Sequence, residues 1–141
     1  MSQLLQQMTK KTSDCKVCVL QLAPVPASRP KVGRWGVYYG KTYARWKQAA
    51  DKLLSEKNYS ITDKPLVVQV EQICKRPKTT KRIYPNGDVD NHAKGPLDAI
   101  TRSDFGWHDD SQIVELKVSK RFAEDGEEPR SIVRWKVALS S

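Results

Sequence analysis

Residues 89–102 read Val89-Asp90-Asn91-His92-Ala93-Lys94-Gly95-Pro96-Leu97-Asp98-Ala99-Ile100-Thr101-Arg102. Ala93, Leu97 and Ile100 recur with helical spacing, so a helix is expected here with those three facing inward. Pro96 sits far inside it. A proline there removes one backbone hydrogen bond, which predicts a kink or a late helix start. What flanks this helix decides the fold. Before it, Leu66-Val67-Val68-Gln69-Val70-Glu71-Gln72-Ile73-Cys74 is strand-like, with Leu66, Val68 and Val70 on one face. After it come two further strands. Val114, Leu116, Val118 and Phe122 share one face of 112–122, and Val133, Trp135, Val137 and Leu139 share one face of 131–139. Glu124-Asp125-Gly126-Glu127-Glu128 reads as the hairpin loop between them.

Towards the amino terminus, a helix is expected over 42–56. Thr42 can serve as its N-cap, and Tyr43, Trp46, Ala50, Leu53 and Leu54 form one apolar stripe. Ahead of it, Pro24, Pro26 and Pro30 forbid helix and central strand, so the chain to Lys41 reads as a long exposed loop. A first strand covers about 15–23, and residues 1–13 read as a flexible tail. The expectation is an α+β protein: a single small domain over 14–141 in the order βαβαββ, with a mixed sheet and two helices packed on it.

The chain has 141 residues, which suits one domain. Its 25 lysines and arginines against 16 acids give a formal net charge of +9 and point to a polyanionic partner, with nucleic acid leading. No apolar run approaches the roughly 20 residues that cross a bilayer. Met1 to Ser13 lack the apolar core of a secretory signal, so a soluble, cytoplasmic protein with no membrane partner is expected. Cys15, Cys18 and Cys74 are an odd count and form no disulfide framework. Cys15 and Cys18 match C-x-x-C on a strand, where positions three apart point to opposite faces, so structural thiols are expected.

Against this basic background, acids gather at Gly87-Asp88-Val89-Asp90-Asn91 and Trp107-His108-Asp109-Asp110. Clustered carboxylates repel, and a hard divalent ion such as Mg²⁺ relieves that with oxygen ligation. Asp88 and Asp90 lie two apart at a turn entering the helix, and Lys94 is one turn beyond Asp90. Counting back by twos from Val114 gives Gln112 and Asp110. If the strand phase holds that far, Asp110 points to the helix-covered face and Asp109 away. The plainer alternative is that these acids only cap a helix and close a turn. Two basic regions could hold DNA phosphates. One contains Arg29, Lys31 and Arg34, continuing through Lys41, Arg45 and Lys47 and interleaved with Trp35, Tyr38 and Tyr39. The other contains Lys75, Arg76, Lys78, Lys81 and Arg82. His92 and His108 flank the acids without an assigned role.

The series Asp88-Val89-Asp90-Asn91-x-x-Lys94, Leu97-Asp98-Ala99-Ile100 and Trp107-x-Asp109-Asp110-x-Gln112-Ile113-Val114 resembles the RusA-type Holliday-junction resolvases, over about residues 15–139. The resemblance implies a Mg²⁺-dependent, homodimeric endonuclease of a bacterium or its phage that resolves four-way DNA junctions. It implies catalytic, metal-holding acids at Asp88, Asp90 and Asp110, and a catalytic lysine at Lys94. His92 departs from the family pattern, which has an apolar residue there. Two other readings use the same residues: a non-catalytic DNA-binding accessory protein, and a metal nuclease acting on other branched nucleic acids or on RNA.

Overall fold

The computed structural model describes residues 15–28, 31–34, 36–38, 40–57 and 59–138. The expected tail over 1–13, together with Arg29, Trp35, Tyr39 and Leu139, lies outside the described residues. Among the described residues, six strands and two α-helices follow in the order β1 (Lys16–Leu20), β2 (Lys31–Gly33), β3 (Gly36–Tyr38), α1 (Lys41–Ser55), β4 (Leu66–Cys74), α2 (Val89–Arg102), β5 (Ile113–Phe122) and β6 (Arg130–Val137). A short 3₁₀ turn, Asp110–Gln112, leads into β5. β2 and β3 pair antiparallel, so the expected loop over 31–41 contains a short two-stranded ribbon.

The other four strands form one mixed sheet in the order β1-β6-β4-β5. β4 pairs parallel with β5 and antiparallel with β6, and α2 supplies the crossover that a parallel pair requires. The α+β class holds. The hairpin expected between β5 and β6 does not form, because β4 lies between them. β4 is buried along nearly its whole length, so it takes the central place, and the 123–129 loop passes over its end, where Ala123 N–H donates to Cys74 O.

Both helices cover one face of this sheet. Tyr43, Trp46, Ala50 and Leu54 of α1 and Ala93, Leu97 and Ile100 of α2 share a core with Cys18, Leu20, Leu66, Val68, Val70, Val133 and Trp135. Cys18 belongs to that core, whereas Cys15 packs against Val67 in a separate cluster, so the two thiols sit on opposite sides, as strand geometry requires. Burial pushes Cys18 and Cys74 up to about 11, which keeps both as thiols. No helix among the described residues is long and apolar enough to cross a membrane.

Three local expectations are corrected. The N-cap of α1 is Gly40, and Thr42 lies inside the first turn. A register shift opposite Leu66/Val67 makes Val114 an extra residue in β5: Leu66 pairs with Ile113, but Val67 pairs with Glu115. Val114 is therefore out of phase with Leu116 and Val118 and is 61% exposed, while Ile113 packs on the core. Finally, α2 starts at Val89 in spite of Pro96. Pro96 has no N–H to offer His92 O, and the buried Gln72 side chain donates to that carbonyl instead, at 2.9 Å. Gly95 brings α2 close to α1, since a Cβ there would stand 3.2 Å from Trp46.

Candidate active site

The turn that carries the first two acids is built by its neighbours. Gly87 has φ +90°, and a Cβ there would fall 2.6 Å from the Pro26 ring, so glycine is required on both conformational and steric grounds. Three successive carbonyls of this turn are taken by two side chains. Lys120 of β5 donates to Pro85 O at 2.8 Å and also to Gly87 O. His92 Nε2 stands 2.7 Å from Asn86 O. A carbonyl can only accept, so Nε2 carries the proton, and His92 Nδ1 is left as an acceptor with no partner among the described residues. His92 is 1% exposed, and burial holds its pKa below the ordinary histidine value, keeping it neutral. On the other side, Ala27 N–H donates to Asn91 O, tying the proline segment to α2.

Asp88 is the N-cap residue of α2, yet its side chain makes no cap hydrogen bond. The carboxylates of Asp88 and Asp90 are exposed and accept no hydrogen bond among the described residues. Helical spacing of four then puts Asp90, Lys94 and Asp98 along one side of α2, away from the buried Ala93, Gly95, Pro96 and Leu97.

The downstream pair divides its labour. Asp109 caps the 3₁₀ turn, accepting from Ser111 N–H at 3.0 Å, while its own N–H donates to Gln112 Oε1 at 3.0 Å. That backbone hydrogen bond from Ser111 holds Asp109 below the usual carboxylate range. Gln112 fixes the turn from beneath, its Nε2 donating to Thr62 O and Lys64 O. Asp110 is exposed, with its pKa raised by the hydrogen bond it shares with the Asp109 side chain, by burial, and by the charges of Asp109 and Asp98. The strand count that placed Asp110 inward does not apply, because 110–112 is a 3₁₀ turn and Val114 is a bulge. The 3₁₀ turn lies near α2 at the amino end of β5, whereas Asp88 and Asp90 follow the carboxyl end of β4; because β4 and β5 run parallel, Asp110 and the Asp88–Asp90 pair stand at opposite ends of the sheet.

No three Asp, Glu, His or Cys side chains are grouped to hold a metal ion among the described residues. The acid of α2 whose charge bears on Asp110 is Asp98, two turns and about 12 Å along the helix from Asp90. By donor type the set fits a hard divalent cation: all the groups are carboxylates, Asp88 and Asp90 keep their lone pairs open, and Asp110 is crowded by like charge. Asp98 was passed over as a site residue in reading the sequence, although it continues the four-residue spacing of Asp90 and Lys94.

Lys75, Arg76, Lys78, Lys81 and Arg82 are all exposed on the segment leading from β4 to the acidic turn. Arg76 stacks on the Phe122 ring at 4.4 Å and donates to Arg82 O. Lys31 lies in β2, and Arg34 is exposed in the turn after it. His108 is exposed, 3.9 Å from the Asp104 carboxylate.

A mixed four-stranded sheet with two helices on one face, carrying open carboxylates within a strongly basic chain, defines a small α+β domain suited to nucleic-acid chemistry. The sequence pattern of the family described as Endodeoxyribonuclease RusA matches residues 21–134. The chain belongs to the RusA endodeoxyribonuclease family. No match was found among curated proteins.

Proposed function

We propose that this protein is a Mg²⁺-dependent endonuclease that resolves four-way DNA junctions by paired phosphodiester hydrolysis, acting as a homodimer. The observation that carries the reading, within an endodeoxyribonuclease family, is that Asp88 heads α2 without capping it. A carboxylate serving only the fold would accept the N–H groups of its own helix. Asp88 and Asp90 would hold the Mg²⁺, and Asp110, at the other end of the sheet in this structure, would complete the set when DNA is bound. When bound, the ion supplies a water of lowered pKa and offsets charge on the phosphate. Lys94, exposed one turn past Asp90, sets a cation beside the phosphate under attack. Asp109, held in its capping box, keeps Asp110 on the turn facing α2.

Lys75, Arg76, Lys78, Lys81 and Arg82, together with Arg29, Lys31 and Arg34, would grip the flanking phosphates. A junction is near two-fold symmetric and needs two nicks, which a C2 dimer delivers by bringing one site to each strand. The substrate puts the work in the cytoplasm of a bacterium, or of a host cell if the chain is phage-encoded.

Labelled four-way junction, duplex, flap and RNA, each incubated with and without Mg²⁺, test the reading. Paired nicks confined to the junction and dependent on metal are expected, and Asp90→Asn should abolish them while binding persists. Full cutting by Asp90→Asn, or binding with no cutting by the unaltered protein, would remove the proposal.

A further inference from the structure

A pocket of about 300 Å³ opens beside the acidic turn, and the reading above gives its interior no occupant, using only Lys75 and Arg82 of its lining. The rings of Pro24 and Pro26 and of Phe122 supply apolar walls, while Lys75 and Arg82 supply cations. None of its lining residues is acidic. His92 lines it as well, and the acceptor at its Nδ1 has no donor among the described residues.

We propose that this pocket seats one unstacked nucleobase, that of a nucleotide adjoining the scissile phosphate; the inference rests on the endonuclease reading. Four features point to this occupant. Its volume lies at the lower end of the range for small-molecule sites, enough for a single heterocycle and not for a stretch of strand. Its make-up joins apolar ring faces to cations, which suits a planar base on a polyanionic backbone. Its wall is also continuous with the site: Asn86 lines the pocket, and Asp88 is two residues on. Two residues of extended chain reach at most about 7 Å, so a base held at Asn86 leaves its own phosphate within a nucleotide's span of Asp88. The amino or imino N–H of a base is also the kind of donor that His92 Nδ1 lacks.

Junctions carrying 2-aminopurine at one branch-point nucleotide at a time, bound without Mg²⁺ so that nothing is cut, provide the test. Fluorescence should rise at one position with the unaltered protein. It should not rise with Thr80→Trp, whose indole would occupy the pocket from its rim, and should be kept with Thr80→Ser. A second measurement needs no variant: an abasic nucleotide at the responding position should slow nicking roughly tenfold, the size expected for one lost base contact. No response at any position, an equal response with Thr80→Trp, or full-speed nicking of the abasic junction overturns the pocket. Nicking without a fluorescence response sinks this inference alone. A response without any nicking in Mg²⁺ sinks the endonuclease reading instead.

Discussion

Lys120 occupies a position that strand alternation gives to an apolar residue, between Val118 and Phe122 on the helix-covered side of β5. Its register partner is Gln72, which is also polar and also inward. Each serves α2 and the turn before it. Gln72 donates to the carbonyl that Pro96 leaves open, and Lys120 holds the carbonyls on either side of Asn86. The Lys120 ammonium also lies 5.7 Å from the Tyr84 ring. Hydrogen bonds from a charged donor contribute about 1.5–3 kcal/mol each when shielded from water, and here they set where Asp88 and Asp90 start. Lys120→Met should therefore fold, yet cut a junction some 10–100-fold more slowly and need more Mg²⁺, as loss of an outer-shell partner does. Lys120→Arg should recover part of the loss. A Mg²⁺ titration of nicking rate that is the same for Lys120→Met and the parent would show that the turn holds its shape unaided.

At the scale of elements, the 123–129 loop is the segment whose role changed most between expectation and structure. It spans β4 instead of closing a hairpin, and a two-pronged ion pair braces it. Arg121 donates to Glu127 at 2.6 and 2.7 Å, and the Glu124 N–H donates to Glu127 as well. These bonds, the Arg121 contact first, hold Glu127 down to about 2 from its ordinary 4.5. The sign follows from linkage. A carboxylate depressed in the fold stabilises it fully above its unfolded value, and that contribution fades as pH falls from about 4.5 towards about 2. Melting temperatures measured across that window should fall more steeply for the parent than for Glu127→Gln. Parallel curves would mean that the pair adds nothing to stability, as many exposed pairs do.

Taken whole, the molecule puts Asp88, Asp90 and one of its exposed cation runs at one end of the sheet, and Asp109 and Asp110 at the other. Lys75 to Arg82 runs from the carboxyl end of β4 to the turn before Asp88. β5 stands at one edge of the four-stranded sheet, with Val114 61% and Leu116 42% exposed along it. The proposed pairing of nicks needs two such bodies on one junction. Light scattering on the full chain should give the mass of a dimer, alone or with DNA. A monomer under both conditions would contradict paired cleavage by a symmetric enzyme.

The sequence by itself determined the long elements: the segments of β4, α2, β5 and β6 could be found from their period, because burial on one face imposes that period. It also showed which carboxylates to watch, since acids in a basic chain stand out. It even carried an unused signal, the polar Gln72 and Lys120 falling in phase with Val70 and Val118. Tertiary structure alone decided that β4 parts β5 from β6, that a bulge at Val114 breaks the phase leading back to Asp110, and that Gln72 lets α2 run through Pro96. Each of these depends on which backbone groups meet across the sheet, and such pairings join residues far apart along the chain, where no local periodicity reaches.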